Sequence, residues 1–123
     1  MNKFQDRVLA WLSHTFPREV VIDKRERGFR FCEESLELVQ SLGITRDEVL
    51  ELVDYVYSRQ VGSVKEEVGG VGITLASVCI ASGVSMESCF DDELDYKCWP
   101  KAAAIKAKHE SKTNKASSLP GRL

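Results

Sequence analysis

The sequence predicts an all-α protein of about five helices. Apolar residues recur at helical spacing along most of the chain, and capping residues stand at the breaks between those runs. The one strand candidate is the β-branched run "EVVI", and it is short.

The elements follow in order. "FQDRVLAWLSHTF" places Phe4, Val8, Trp11 and Leu12 on one stripe, and Pro17 punctuates its end. Asp23 is placed to cap a second helix that runs to Leu42 and stops at Gly43. Thr45 with Glu48 three residues on is a capping-box pattern, and Val49, Leu52, Val53 and Val56 form the apolar face of the helix it opens. Gly62 and Ser63 precede a fourth helix, about Val64 to Ser82, which Gly83 ends. Ser85 is placed to cap a fifth, reaching Cys98. Pro100 kinks or restarts the chain, and a basic helix follows to about Lys112. Residues 1–112 are thus expected to form one helical domain, and the polar, basic tail 113–123 to be disordered.

Composition narrows the function classes. The chain has 123 residues, 43% hydrophobic and 29% charged, with a net charge of −2. That balance is ordinary for a soluble domain and gives no global pull toward nucleic acid or an anionic membrane. Cys32, Cys79, Cys89 and Cys98 stand far apart with no CxxC pair, and His14 and His109 are isolated, which argues against a zinc ribbon or finger. Cys32 and Cys79 lie among apolar residues and read as small core hydrophobes. With no secretory signal at the start, a cytoplasmic location is expected. The charge-free run "VGGVGITLASVCIASGVSM" has the length of a membrane span. Its glycines and hydroxyl residues favour a buried core helix instead, and no membrane association is expected.

The densest chemistry lies in "RFCEESLELVQSLG". Glu33 and Glu37 fall about 40° apart on a helical wheel and Glu34 and Glu37 about 60° apart, so all three share a face. Phe29, Cys32, Leu36 and Val39 occupy the other side, while Arg27 and Arg30 join the acids one turn back. Alone, this is an exposed face with Arg30–Glu33 and Arg30–Glu34 pairs. The fourth helix adds a second source of carboxylates, Glu66 and Glu67, in the first turn of an otherwise apolar helix. Placed there, they either stay wet at the positive helix N-terminus or meet the Glu33, Glu34 and Glu37 face. Clustered carboxylates repel and are costly to desolvate, and a divalent cation removes that cost. Oxygen ligands at this spacing suit Mg²⁺, or Mn²⁺. Gly69, Gly70 and Gly72 each cost a helix about 1 kcal/mol relative to alanine. They call for close approach of another helix or space for a ligand beside Glu67.

"EESLE" followed by "EEVGGVGITLASVCIASGVSM" resembles the MazG-type all-α nucleoside triphosphate pyrophosphohydrolases, in particular the short phage and bacterial MazG-like proteins. "FQDRVLAW" and "KAAAIKAKHESK" extend the similarity over most of residues 3–112. The resemblance implies a helical bundle with an oligomeric core, either a homodimer or a homotetramer. It also implies Mg²⁺-dependent conversion of a nucleoside triphosphate to the monophosphate and pyrophosphate. Carried over by position, Glu34 and Glu37 match the metal ligands of the EExxE motif and Glu33 its leading residue, a candidate base. Glu67 matches the glutamate of ExxD, whose aspartate falls on Gly70. Asp54 of "ELVD" is the candidate for the missing oxygen. Arg30, Lys101, Lys106 and Lys108 are the candidate phosphate-binding residues. The basic C-terminal stretch lacks the aromatic interleaving of single-strand binders, so nucleic acid is not the expected partner. Gly70 keeps two alternatives open: a MazG-fold nucleotide-binding or regulatory module without catalysis, and a structural helical interaction protein.

Overall fold

The computed structural model describes residues 3–111, and every regular element among them is helical. The order is α1 (Lys3–Thr15), α2 (Arg18–Val21), α3 (Lys24–Ser41), α4 (Arg46–Tyr57), α5 (Val64–Ser82), α6 (Met86–Glu93), a π-helical turn (Leu94–Cys98) and α7 (Trp99–Ser111). The expected tail, 113–123, lies outside the described residues. No single described helix is long and apolar enough to cross a membrane.

Local chemistry sets the boundaries. The Asp23 carboxylate accepts from the backbone N–H groups of Arg25 and Glu26 at 3.1 Å each and so caps α3. Thr45 and Glu48 form the full reciprocal box at α4. Ser63 caps α5 by accepting from Glu66 N–H at 3.2 Å, and Ser85 does the same for Ser88 at the start of α6. Gly43 and Gly83 take positive φ, 82° and 69°, where α3 and α5 end, and a β-carbon would be strained there. The strand candidate is corrected: within "EVVI", Glu19 to Val21 are the body of α2. Pro17 supplies a helix-compatible φ of −65° at its N-cap, and backbone bonds from Val20 and Val21 to the Pro17 carbonyl close the turn before any sheet partner exists.

The chain divides into two compact units. Among the described residues, one comprises 3–37 and 91–111, the other 38–90. In the first, α1 packs along α7 through the stripe read from sequence, with Val8, Trp11 and Leu12 half-buried and Thr15 fully buried. Leu94 and Ala102 are buried beside them. The π turn serves this packing. Trp99 N–H bonds back to Leu94 O, five residues earlier, and the indole Nε1 of Trp11 donates to the Cys98 carbonyl at 3.0 Å. Pro100 follows directly. It has no N–H to give, and its ring crowds the carbonyl four residues back, so a widened turn stands before it and α7 begins at Trp99, where the sequence predicts a kink or a restart. Around it Trp11, Phe16 and His109 make edge-on ring contacts, and His14 lies 5.4 Å from Trp99. Arg7 bridges from α1 to Asp91 at 2.6 Å and Asp95 at 2.9 Å.

The second unit contains α4 and α5. No side chain of either is buried. The expectation that α5 is a buried core helix is therefore not met within one chain: only Leu75, Ala76, Val78 and Cys79 of it are half-buried. The cysteine reading changes too, since Cys32 is exposed and Cys79 half-buried.

Candidate functional site

The site is built on α3. Over its first turns the charged side is well enclosed, and further along Glu34 and Glu37 are exposed. Glu26 is buried and Arg27, Arg30 and Glu33 are half-buried, whereas Phe31, Cys32 and Leu36 are exposed. The sequence reading had Phe29, Cys32, Leu36 and Val39 on the core side; Phe29 and Val39 are half-buried, while Cys32 and Leu36 are exposed. Ion pairs make the enclosure tolerable. Arg30 Nε lies 3.3 Å from Glu26 Oε1, Arg30 Nη1 3.5 Å from Glu33 Oε1, and Arg27 Nη2 3.8 Å from Glu26 Oε1. Burial pulls the Arg27 guanidinium below its ordinary pKa, with Arg30 adding to the pull, against the opposing carboxylates of Glu26 and Asp23. The Arg27 guanidinium also sits 5.2 Å from the centre of the Phe16 ring, tying α3 to the end of α1.

Further along the same face the positive charge runs out. Glu34 is pushed above the usual carboxylate range by partial burial first, then by repulsion from Glu37, Glu93 and Glu33, with Lys97 opposing. This cluster answers in part whether the acids of α3 are only a solvated face. Glu34 is exposed at the surface, yet its field is set by three other carboxylates. Glu93 comes from the end of α6, and sequence reasoning missed it. It stands in "FDDELDY", which reads only as an acidic run. Its place beside α3 requires residues nearly sixty positions apart to be brought together by tertiary packing. Lys97, one turn on, pairs with Glu93 at 3.5 Å.

Cys98 borders the cluster. Burial raises its thiol pKa, Glu93 and Glu34 raise it further, and Lys101 lowers it, so the sulfur is a protonated thiol at neutral pH. Lys101 acts on Cys98, and Lys97 is the lysine that acts on Glu34. Lys106 and Lys108 are exposed on α7. Arg30 is engaged by Glu26 and Glu33.

The remaining predicted ligands lie in the other unit. Asp54 is exposed on α4. The carboxylate of Glu67 folds back over the loop before its own helix, where its Oε2 lies 3.0 Å from the position a β-carbon on Gly62 would take. That placement suits a carboxylate at the positive end of α5. A β-carbon on Gly70 would meet nothing within 4 Å. Among the described residues, no three histidine, cysteine or carboxylate side chains stand together as a ready-made metal site. The donor chemistry of the α3 cluster nonetheless fits a hard divalent cation: all of its ligating atoms are carboxylate oxygens, and their mutual repulsion is left incompletely balanced.

Comparisons of the chain with protein families, with curated proteins and with solved structures return no match.

Proposed function

We propose that this protein is a Mg²⁺-dependent nucleoside triphosphate pyrophosphohydrolase of the MazG-like kind. One observation carries the reading: Glu34, raised first by partial burial, is raised further by the carboxylates of Glu37, Glu93 and Glu33, with Lys97 opposing. A bound Mg²⁺ supplies neutralising charge and Lewis acidity at such a cluster. Glu34 and Glu37 would hold the cation, with Glu93 of α6 as a further carboxylate. Glu33 takes the proton of the attacking water. The water oxygen forms a bond to the α-phosphorus, the bond from that phosphorus to the α,β-bridging oxygen breaks, and pyrophosphate leaves with the electron pair. Lys101, with Lys106 and Lys108 further along α7, attracts the polyphosphate charge.

The test is release of pyrophosphate from a panel of canonical and modified nucleoside triphosphates with Mg²⁺. Glu34→Gln with Glu37→Gln is expected to abolish turnover while the helical circular dichroism is kept. Turnover that survives the double change would remove α3 from the mechanism. A second reading is favoured by Gly70, which offers no oxygen where the resembled motif has aspartate. In it the chain binds nucleotide without hydrolysing it, and calorimetric binding with no pyrophosphate released would select it.

A further inference from the structure

We propose that Trp11 is a positioning residue for the cation site on α3: by holding the π turn between α6 and α7, it sets the Glu93 carboxylate on the side of that helix where Glu34 stands. The inference rests on the Mg²⁺ reading above and adds to it a residue of α1 that no motif singles out.

The helix runs without a break from Met86 to Ser111, through the π turn. Leu94 and Ala102 are each 3% exposed, so they share its buried side. In a regular α-helix their separation of eight positions would set them about 80° apart. A π turn absorbs one extra residue, which makes the effective separation seven and brings the two within about 20°. The same shift moves Glu93. Nine positions before Ala102, a regular helix would point it about 180° from the buried side, whereas the π turn brings it to about 80°. The two flanks of the buried side are then distinct. Asp91 and Asp95 take one, where Arg7 of α1 binds them at 2.6 Å and 2.9 Å. Glu93 and Lys97, paired at 3.5 Å, take the other. The charges of both act on Glu34, so this second flank is the one that faces the acids of α3.

A π turn is rare inside a helix and needs a cause. Pro100 has no N–H, so the bond that a regular helix would make to the Tyr96 carbonyl is lost whichever turn forms. Trp99 N–H reaches Leu94 O instead. The Trp11 indole donates to the Cys98 carbonyl at 3.0 Å and so ties the last residue of the turn to α1. The extra residue costs no core packing, since Tyr96 is 76% exposed. Trp11 thus acts through a backbone carbonyl and the helix that follows from it, and coordinates nothing itself.

Calorimetric titration of the full chain with Mg²⁺ alone tests this, with the melting temperature of each variant read alongside. Glu93→Gln is expected to weaken Mg²⁺ binding about tenfold. Trp11→Phe, which keeps a ring and loses the donor, is expected to weaken it by about three- to tenfold. The two changes together are expected to bind no more weakly than Glu93→Gln alone, because Trp11 acts through Glu93; a general loss of packing at Trp11 would add to it. Deleting Tyr96 is a second arm. A regular helix one residue shorter keeps Leu94 and Glu93 on the sides they occupy now, so an affinity within about twofold of wild type is expected. Binding unchanged by Trp11→Phe or by Glu93→Gln, or losses that add in the double variant, overturns the role of Trp11 and leaves the hydrolase reading standing. A loss on deleting Tyr96 as large as that of Glu93→Gln overturns the role of the turn. A wild-type chain that binds no Mg²⁺ overturns this proposal and the hydrolase reading together.

Discussion

Residues 3–37 and 91–111 bury Thr15, Glu26, Leu94 and Ala102, and they are joined by bonds between distant positions: Arg7 to Asp91 and Asp95, and Trp11 to the Cys98 carbonyl. Residues 38–90 bury no side chain. Their side-chain hydrogen bonds, as far as they are resolved, link residues three or four positions apart, as in the caps at Thr45 and Ser63 and the return of Thr74 and Ser77 to the preceding turn. The contrast separates two jobs that are often treated as one. Capping and periodicity are enough to make a helix; making a core needs a second surface. The first unit finds one in α1 against α7. The second carries equally well-specified helices, and none of their side chains is buried.

The sharpest way to break this contrast is to delete side-chain volume in each unit. Leu94→Ala is expected to cost about 2–5 kcal/mol, the range for a buried leucine. Leu52→Ala, at an exposed site, is expected to cost about 0.5 kcal/mol or less. Urea melts of both variants measure the difference. A loss of several kcal/mol at Leu52 would mean that α4 is covered.

A smaller effect sharpens the local half of the comparison. Thr45→Ala removes the hydroxyl that accepts from Glu48 N–H and should cost about 1 kcal/mol, read as a lowered urea midpoint. Amide exchange should quicken first in the opening turn of α4, and no faster exchange is expected in α1 or α7.

The smallest effect is one of sign. Glu34 in the first unit has its pKa raised, so the folded state holds that proton more tightly than the unfolded chain does. Its contribution therefore favours folding less as pH rises from the ordinary glutamate range through the raised value. Glu48 in the second unit is lowered by the Thr45 backbone N–H and hydroxyl, so its stabilisation is present above the ordinary range and is lost as pH falls through the lowered value. Carboxyl-carbon NMR titration should find the two displaced in opposite directions. On the proposed function, Mg²⁺ should bring Glu34 down and leave Glu48 where it is. A Glu34 titration indifferent to Mg²⁺ would count against the metal role.

Much of the site was legible in part. Glu33, Glu34 and Glu37 could be placed on one helical face from a periodicity of 3.6 residues alone, and the pairing of Arg30 with Glu33 followed from their spacing. Its pairing with Glu26 has an equally helical spacing of four residues. Glu93 was not legible. Nothing in an acidic run states which of its members will face another helix. The exposure of Cys32 and Leu36 on α3 was hidden for a related reason. An amphipathic pattern says that two faces differ, and apolar residues are ordinarily assigned inward, but here Glu26, Arg27 and Arg30 neutralise one another well enough to be enclosed while Leu36 remains out.

By itself the sequence determined that this chain is helical and where most helices begin and end. Asp23, Thr45, Ser63, Gly43, Ser85 and Gly83 act on backbone groups within a few residues, and such short-range hydrogen bonding and dihedral preference do not wait for a fold. Only the tertiary structure decided that Glu93 joins the acids of α3, that a π turn precedes Pro100 with its Cys98 carbonyl held by Trp11, and which face of α3 is enclosed. Those outcomes depend on packing between segments far apart in the chain, where the balance of burial, repulsion and ion pairing is set by neighbours that local sequence does not name.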